Sequence, residues 1–297
     1  MNSSALTSIF LQQVDERRYA LARIALGIAA LANLVDLWFY RNTTLVSEGM
    51  IDQATVQTLL PGIPFSIFSI FTGPIGVSIV FIITALATIL LIGGKLPRVM
   101  LVIVYIFHVS VSLRAPLIIS GWDGVITCWA FIMLFCPLAP GWGMIRLWRS
   151  RKNSLGSGIS SMVPRFGLVL LQVQVAVIYW EAAIRRLVIG DQFWRDGSFM
   201  TYFLLSHHGR FEGTWPYYWQ ENLELLTHVS MLIELAIPIL LWIPQMRGYG
   251  IIFGVLLHVG IAVLSINIFL FSLTILLMYT VFFGGKRQKA AEDRADL

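Results

Sequence analysis

The sequence predicts an all-α fold, a polytopic transmembrane helical bundle with about eight spans. Of its 297 residues, 57% are hydrophobic and only 12% are charged, whereas soluble domains carry about 25% charged residues. The mean hydropathy is +0.78, and apolar runs long enough for one bilayer crossing recur along the chain. These observations exclude a soluble cytoplasmic enzyme and an intrinsically disordered chain.

Long apolar runs between polar or Pro/Gly breaks mark the eight expected spans. They lie near residues 18–40, 75–93, 97–113, 122–138, 164–184, 223–243, 248–265 and 266–283. The last two are separated by a minimal turn of Ser265, Ile266 and Asn267. A single long tilted or broken helix over 248–283 is therefore the alternative for this region.

The basic residues indicate the orientation of the spans. The chain carries 21 Lys and Arg residues and a formal net charge of +5. These residues are scattered between the spans, so we expect no nucleic-acid partner. With the N-terminus inside, 14 of the 21 fall on the cytoplasmic face, as the positive-inside rule requires. We therefore expect an integral protein of a bacterial inner or plasma membrane with both termini cytoplasmic.

The spans form one expected membrane domain, residues 18–283, without short internal repeats. The cytoplasmic segment before it, 1–17, lacks the pattern of a signal peptide, so we expect the first span to be retained as an anchor. A basic-then-acidic cytoplasmic tail, 284–297, follows the domain. Two external segments, near 41–74 and 185–222, are expected to lie on the membrane surface. Their turn and aromatic residues include Pro61, Gly62, Ile63, Pro64, Phe65, Phe68, Phe71, Trp215, Tyr217, Tyr218 and Trp219.

Cysteine usage and motif content exclude several classes of site. Cys128 and Cys136 lie eight residues apart in one apolar span, which is too far along a single helix for disulfide geometry. They also lack the clustered spacing of a metal site. The sequence contains no HExxH, no Walker-type glycine-rich loop and no GxSxG motif. We therefore predict no disulfide, no metal-ion site, and neither a metalloprotease nor an ATPase. Haem ligation by two histidines from different spans, such as His228 and His258, stays open.

Ionisable residues inside the spans are expected to have either a polar partner or a function. Placing one at the bilayer centre costs about 2.5–3.5 kcal/mol on insertion scales. In the first span, Arg23 shares a stripe with Gly27 and Ala30, and we expect it to lock helices together. Asp123 follows Ser120 before an apolar run and is expected to cap the fourth span.

Further polar residues lie toward the external ends of the spans. His108 and Arg114 end the third span. At the end of the fifth span, Glu181 and Arg185 are four residues apart, the spacing of an ion pair on one helix face. The adjacent Arg186 points about 100° away on a helix. It is therefore expected to face a cavity and bind an anionic or carbonyl group.

The later spans add a carboxylate and two histidines. Glu234 lies near mid-membrane, where we expect a structural partner, Arg23 or His258. His258 is central in the seventh span and is expected to carry protons, because its ordinary pKa lies close to working pH. The candidate catalytic residues are Arg186, His258 and Glu234, and the candidate substrate-binding residues are Arg185, Glu181, Tyr179, Trp194, Asp196, Arg114, His108 and His228.

Several short motifs follow one another in the order seen in a known family. They are Arg23 with Gly27, Ser112-Leu113-Arg114, Gly121-x-Asp123, Pro137, Ile178-Tyr179, Ala182-Ala183-Ile184-Arg185-Arg186-Leu187, Trp194-Arg195-Asp196-Gly197, Glu234 and His258. Over about residues 15–285 this pattern resembles the HTTM domain, the membrane domain shared with vitamin K-dependent γ-carboxylases. The resemblance implies the helical membrane fold of that family.

For the carboxylases, the family implies an active site near the lumenal or periplasmic leaflet. Reduced vitamin K is oxygenated there, and the resulting base removes a proton from a peptide glutamate. The proposed starting base is a lysine of a basic pair, which here is Arg185-Arg186. Arginine keeps its proton, which argues against glutamate carboxylation by that mechanism. His258 resembles a retained family histidine, so acid–base work in the cavity stays open.

Three functions follow for the chain. The first is binding or modification of a lipid, an isoprenoid quinone or a peptide in an externally facing cavity; the cofactor is unknown, with a reduced quinone as the candidate. The second is a handling partner without redox chemistry of its own, resembling HTTM relatives that help to mature or export a secreted peptide toxin. The third is a structural subunit of a larger membrane complex.

Overall fold

The computed structural model describes residues 10–59, 66–143, 161–190, 192–210, 220–266 and 268–283. Within these ranges the chain is predominantly helical, which confirms the predicted all-α bundle. The chain divides into two compact units, Met1–Leu170 and Leu171–Leu297. The division falls inside one long helix, so the two units are described in turn.

The first unit consists mainly of long apolar helices. Its elements are β1 (Gln13–Asp15), α1 (Arg17–Thr44), α2 (Gln53–Leu59), a 3-10 turn (Ile67–Ser69), α3 (Pro74–Gly93), α4 (Pro97–Arg114), α5 (Gly121–Leu134) and β2 (Met162–Pro164). The two strands pair antiparallel with Val14 opposite Val163. The sequence did not predict this pair, because a three-residue strand is too short to show an alternating pattern.

Proline, glycine and a capping carboxylate set the helix ends in this unit. Pro74 begins α3 and Pro97 begins α4, at positions where the missing proline N–H is not needed. Gly94 follows the end of α3 with a φ of +75°, a conformation that favours glycine. The predicted cap of the fourth span is confirmed, since the Asp123 carboxylate accepts the Ser120 backbone N–H at 2.8 Å.

Arg23 is a fully buried cation of the first unit. Its side chain is inaccessible to solvent. The guanidinium donates hydrogen bonds to the backbone carbonyls of Leu138, Ala139 and Trp142, which follow the end of α5. Arg23 therefore ties α1 to the segment after α5, which is the helix-locking role expected from its position.

The second unit contains the remaining helices. They are α6 (Phe166–Val188), which begins in the first unit, α7 (Gln192–Arg195), α8 (Phe199–Leu205), α9 (Gln220–Trp242), α10 (Arg247–Leu264), α11 (Phe269–Met278) and a following 3-10 turn (Tyr279–Phe282). α9 packs along α10, and α10 packs along α11. This arrangement brings three helices of the C-terminal half side by side.

The last two helices form an antiparallel hairpin. Ser265 ends α10 in an extended conformation, with φ −114° and ψ 147°. Beyond it, the His258 ring lies 5.8 Å from the ring of Phe271, and Gly254 lies against the Tyr279 hydroxyl. The paired residue numbers run in opposite directions, so the alternative of one long helix over 248–283 is wrong.

Among the residues that the structure describes, six helices are long and apolar enough to cross a membrane. They are α1, α3, α4, α6, the 222–242 part of α9, and α10. The fourth and eighth predicted spans correspond to α5 and to α11 with its 3-10 turn, which are apolar but shorter. The six helices are compatible with an integral membrane protein, while eight crossings stay a prediction. Residues 61–65, 215–219 and 284–297, on which other expectations rest, lie outside the described residues.

Candidate functional site

The second unit encloses a cavity of about 320 Å³ between α6, α8, α9, α10 and α11. Most of its wall is apolar, with side chains such as Ile233, Leu257, Ile261 and Ile275. Leu256 also lines it and is 63% exposed. The cavity therefore reaches a part of the surface that carries apolar side chains, as expected for contact with lipid.

One wall of the cavity carries an ion pair. Tyr179, Ala182 and Arg186 of α6 line it, because spacings of three and four residues place side chains on one helix face. The Arg186 guanidinium binds the Glu234 carboxylate of α9. Side-chain exposure is 30% for Arg186 and 8% for Glu234, so the acid is buried and the base reaches the opening.

Glu234 therefore has a different partner from the two that the sequence suggested. Its carboxylate binds Arg186, not Arg23 or His258. The guanidinium also lies over the Trp194 ring, 4.3 Å from Cζ to the ring centroid. Arg186 is thus held by an acid on one side and an aromatic face on the other. The contact to Glu234 uses Nη1, and a guanidinium carries five N–H donors, so others are left for a ligand.

A chain of hydroxyl and imidazole groups forms the second polar feature. The Tyr179 hydroxyl lies 2.6 Å from His258 Nε2 and also bonds the Tyr279 hydroxyl. All three side chains are buried, and Tyr179 and His258 line the cavity. His258 was expected to carry protons, and the structure places its Nε2 within hydrogen-bond distance of the Tyr179 hydroxyl.

Stacked aromatic rings form the side of the cavity that α7 and α8 supply. Trp194 stacks on Phe199 with ring centroids 3.6 Å apart, and Phe199 stacks on Phe203 at 5.6 Å. All three rings line the cavity, with Met200 between them. The predicted substrate-binding Trp194 is therefore part of a larger aromatic wall.

His228 is close to the cavity and does not line it. Its Nε2 lies 3.1 Å from the Arg195 carbonyl oxygen, and its Nδ1 lies 3.1 Å from the Glu224 carbonyl oxygen. The neighbouring Thr227 hydroxyl donates to the Gly197 carbonyl at 2.6 Å. His228 and Thr227 thus position the turn between α7 and α8.

Three predicted residues of the second unit lie on its surface. Arg185 and Glu181 form the expected ion pair at 3.1 Å, with side-chain exposures of 70% and 58%. Asp196 is exposed and accepts hydrogen bonds from the Ser198 hydroxyl at 2.6 Å and backbone N–H at 2.9 Å. These bonds lower the pKa of Asp196 below its ordinary value. The three residues do not line the cavity.

The other two candidates, His108 and Arg114, belong to the first unit and do not line the cavity. His108 is buried with its ring edge-on to Phe107, at a centroid distance of 5.4 Å. Buried Arg114 donates to the carbonyls of Val46 and Ile51, the latter at 2.9 Å. Arg114 thereby fixes the segment that follows α1. Of the eleven candidates, Tyr179, Arg186, Trp194, Glu234 and His258 line the cavity.

The sequence interpretation missed Tyr279 and the aromatic wall beyond Trp194. Tyr279 has a recognisable signal, because a Cβ at Gly254 would overlap its hydroxyl. A glycine one turn before His258 thus indicates that a bulky side chain packs there. Ser230, whose hydroxyl donates to the Thr227 carbonyl at 2.8 Å, lines the cavity on the face of α9 that carries Glu234.

The described part of the chain holds no group of three or more His, Cys, Asp or Glu residues suited to a metal ion. A polar molecule or cofactor head group would instead meet Arg186, Tyr179 and His258, with its apolar part against α9, α10 and α11. No protein-family model, curated protein or solved structure matches the chain.

Proposed function

We propose that this chain is an HTTM-type integral membrane protein that binds and modifies a lipid-like molecule in the cavity of its second unit. Its orientation is the one that the basic residues predict, with cytoplasmic termini and the cavity toward the external leaflet. The observation that carries the proposal is an apolar cavity of about 320 Å³ with an Arg–Glu pair and a Tyr–His pair in its wall. Such convergence of polar groups in an apolar pocket is typical of ligand sites.

The ion pair favours an uncharged head group. Glu234 neutralises Arg186, so an anion would have to compete with a carboxylate that is already in place. A carbonyl oxygen needs only the N–H groups of Arg186 that Glu234 does not use. An isoprenoid quinone or a neutral lipid ester, with its chain in the apolar part, fits these requirements.

Proton transfer is the chemistry that the Tyr–His pair supports. The Tyr179 hydroxyl and His258 Nε2 are 2.6 Å apart, within the distance needed for a proton to pass. Arg186 is unsuited to act as a base, because a guanidinium keeps its proton. We therefore assign Arg186 to binding and the Tyr179–His258 pair to acid–base work, and we do not propose glutamate carboxylation.

The proposal is tested by identifying what the protein retains from its membrane. Wild-type protein and the variants Arg186→Gln and His258→Gln are purified in native-lipid discs, and the extracts are compared by mass spectrometry. We expect a quinone or neutral lipid that is enriched with wild type and lost, at least 10-fold, in both variants. Ten-fold corresponds to about 1.4 kcal/mol of binding free energy.

Arg185→Gln is the matched control. It removes an adjacent, exposed guanidinium with the same charge and should leave the retained molecule unchanged. Thermal unfolding of each variant separates loss of ligand from loss of fold. Equal retention in all four proteins would overturn the proposal, and a stable co-purifying peptide or protein would favour a handling partner or a complex subunit.

A further inference from the structure

Residues 192–210, here called the strap, cover one side of the cavity. The strap comprises α7, the turn at Gly197, α8 and the residues up to Arg210. It contributes Trp194, Phe199, Met200 and Phe203 to the cavity wall. A molecule that enters or leaves on this side has to pass the strap.

The far end of the strap is tied to the end of α10. The Arg210 guanidinium donates to the carbonyls of Val263 at 2.9 Å and Ala262 at 3.2 Å. The backbone N–H of Arg210 donates to the Leu264 carbonyl at 2.9 Å. An arginine stays charged at every working pH, so a change of pH does not remove this tie.

The near end is tied to α9 around Gly197. Thr227 Oγ1 donates to the Gly197 carbonyl at 2.6 Å and accepts the Met200 backbone N–H at 3.2 Å. Gly197 has a φ of +86°, and a Cβ there would press on the His228 ring. The turn therefore packs directly against α9, and only glycine fits both the conformation and the space.

His228 joins the same tie through both of its ring nitrogens. Nε2 faces the Arg195 carbonyl oxygen of the strap, and Nδ1 faces the Glu224 carbonyl oxygen of α9, each at 3.1 Å. Carbonyl oxygens only accept hydrogen bonds. A neutral imidazole carries one N–H, whereas the imidazolium carries two, so only the charged form satisfies both contacts at once.

The charged groups around His228 suit that form. Asp196 of the strap interacts electrostatically with His228, and its hydrogen bonds to Ser198 keep it ionised. Arg195 directs its guanidinium to the Gly190 carbonyl at 3.3 Å, and Glu224 lies one turn earlier on the same helix. On the helices that pack with α9 around the cavity, Arg186 is neutralised by Glu234, and His258 is bonded to Tyr179.

We propose that the strap is a lid on the cavity, anchored by Arg210 and latched at Gly197 by the imidazolium of His228, so that it loosens when the ring loses one of its two N–H protons. The lid would control access to the cavity, so its biological role rests on the proposed function. The latch itself is a property of the protein alone. It is therefore tested without any ligand.

The experiment measures amide hydrogen exchange of residues 192–205 in lipid discs, comparing wild type with His228→Gln at equal pH. At pH 5.5 we expect exchange to be about 10-fold faster in the variant, because it lacks the charged hydrogen bond. At pH 8.5 the two proteins should agree within about twofold, since wild type has then lost the same charge. Comparison at equal pH removes the intrinsic pH dependence of exchange.

His207→Gln is the control, since it removes an exposed imidazole of the strap that contacts the neighbouring His208 ring. It should exchange like wild type at both pH values. Thr227→Val is the second variant, and it should speed exchange of the strap equally at both pH values. Equal exchange of wild type and His228→Gln at pH 5.5, or a difference of the same size at pH 8.5, would overturn the latch.

The two proposals fail independently. Wild-type strap exchange that follows the expected pH pattern, without any retained molecule in the extracts, would overturn the ligand and keep the latch. A retained molecule that is lost in Arg186→Gln, together with strap exchange that does not change in His228→Gln, would keep the ligand and overturn the latch.

Discussion

Two arginines on apolar helices, one in each unit, have opposite surroundings. Arg23 of α1 is inaccessible to solvent and donates to three backbone carbonyls. Arg186 of α6 is 30% exposed at a cavity, bound to an acid and covered by an indole ring. Buried backbone carbonyls beyond a helix end need hydrogen-bond donors in any protein. The fold does not require an ion pair beside an open cavity in the same way. The hydrogen-bond partner of such an arginine therefore indicates the role of the arginine better than its degree of burial does.

The comparison predicts its largest effect at Arg23. Arg23→Leu should destabilise the protein by about 3 kcal/mol or more, because three buried carbonyls lose their donors. The loss is measured as the yield of monodisperse protein and as the unfolding temperature in discs. Arg23→Lys should recover part of the yield. Wild-type stability of Arg23→Leu would contradict the structural role.

Removing Arg186 should have the next largest effect on stability. Arg186→Gln leaves the Glu234 carboxylate buried without its partner, and we expect a loss of about 2 kcal/mol. The double variant Arg186→Gln with Glu234→Gln removes both charges and should recover most of that loss. A double-mutant cycle of thermal unfolding measures the coupling. Additive losses would mean that the pair is not a unit.

Glycine substitutions sharpen the comparison on the cavity side. Gly254→Ala should destabilise the protein by about 1–3 kcal/mol through overpacking, because its Cβ would overlap the Tyr279 hydroxyl. Gly260 is the matched control on the same helix, since a Cβ there meets nothing within 4 Å. Gly260→Ala should be neutral or gain up to about 1 kcal/mol from helix propensity. Equal losses at the two positions would argue against the Tyr179–Tyr279 contact.

The smallest effect is expected at the exposed Arg185–Glu181 pair. Arg185→Ala should change stability by less than about 0.5 kcal/mol, as is usual for ion pairs in full contact with solvent or head groups. Thermal unfolding at low and high salt measures it. A loss comparable to that of Arg186→Gln would show that the two adjacent arginines are not distinguished by their surroundings.

Local patterns were sufficient to predict the eight apolar helical segments and one helix cap, but not the short helices α2, α7 and α8. Each predicted span coincides with a helix, because an apolar run must form its backbone hydrogen bonds within the segment. The Asp123 cap and the Glu181–Arg185 pair were predictable for the same reason, since each depends on residues three or four positions apart.

The sequence did not predict which side chains contact each other across different helices. Glu234 was assigned to Arg23 or His258, and its true partner Arg186 lies on α6, forty-eight positions away in the chain. Helix periodicity identifies the face of a side chain and leaves the neighbouring helix undefined. The same holds for Tyr279 and for the ties of the strap. Those contacts depend on the arrangement of α6, α9, α10 and α11 in space.

The small strand pair at Val14 and Val163 has a consequence for the order of biogenesis. Its second strand is synthesised about 150 residues after its first. Helices α1 to α5 have therefore all left the ribosome before the pair can form. The N-terminal strand therefore has no partner strand while α1 to α5 are being made. The strand pair is therefore one of the last contacts of the first unit to form. On a ribosome stalled before Val163, the first strand would still lack its partner.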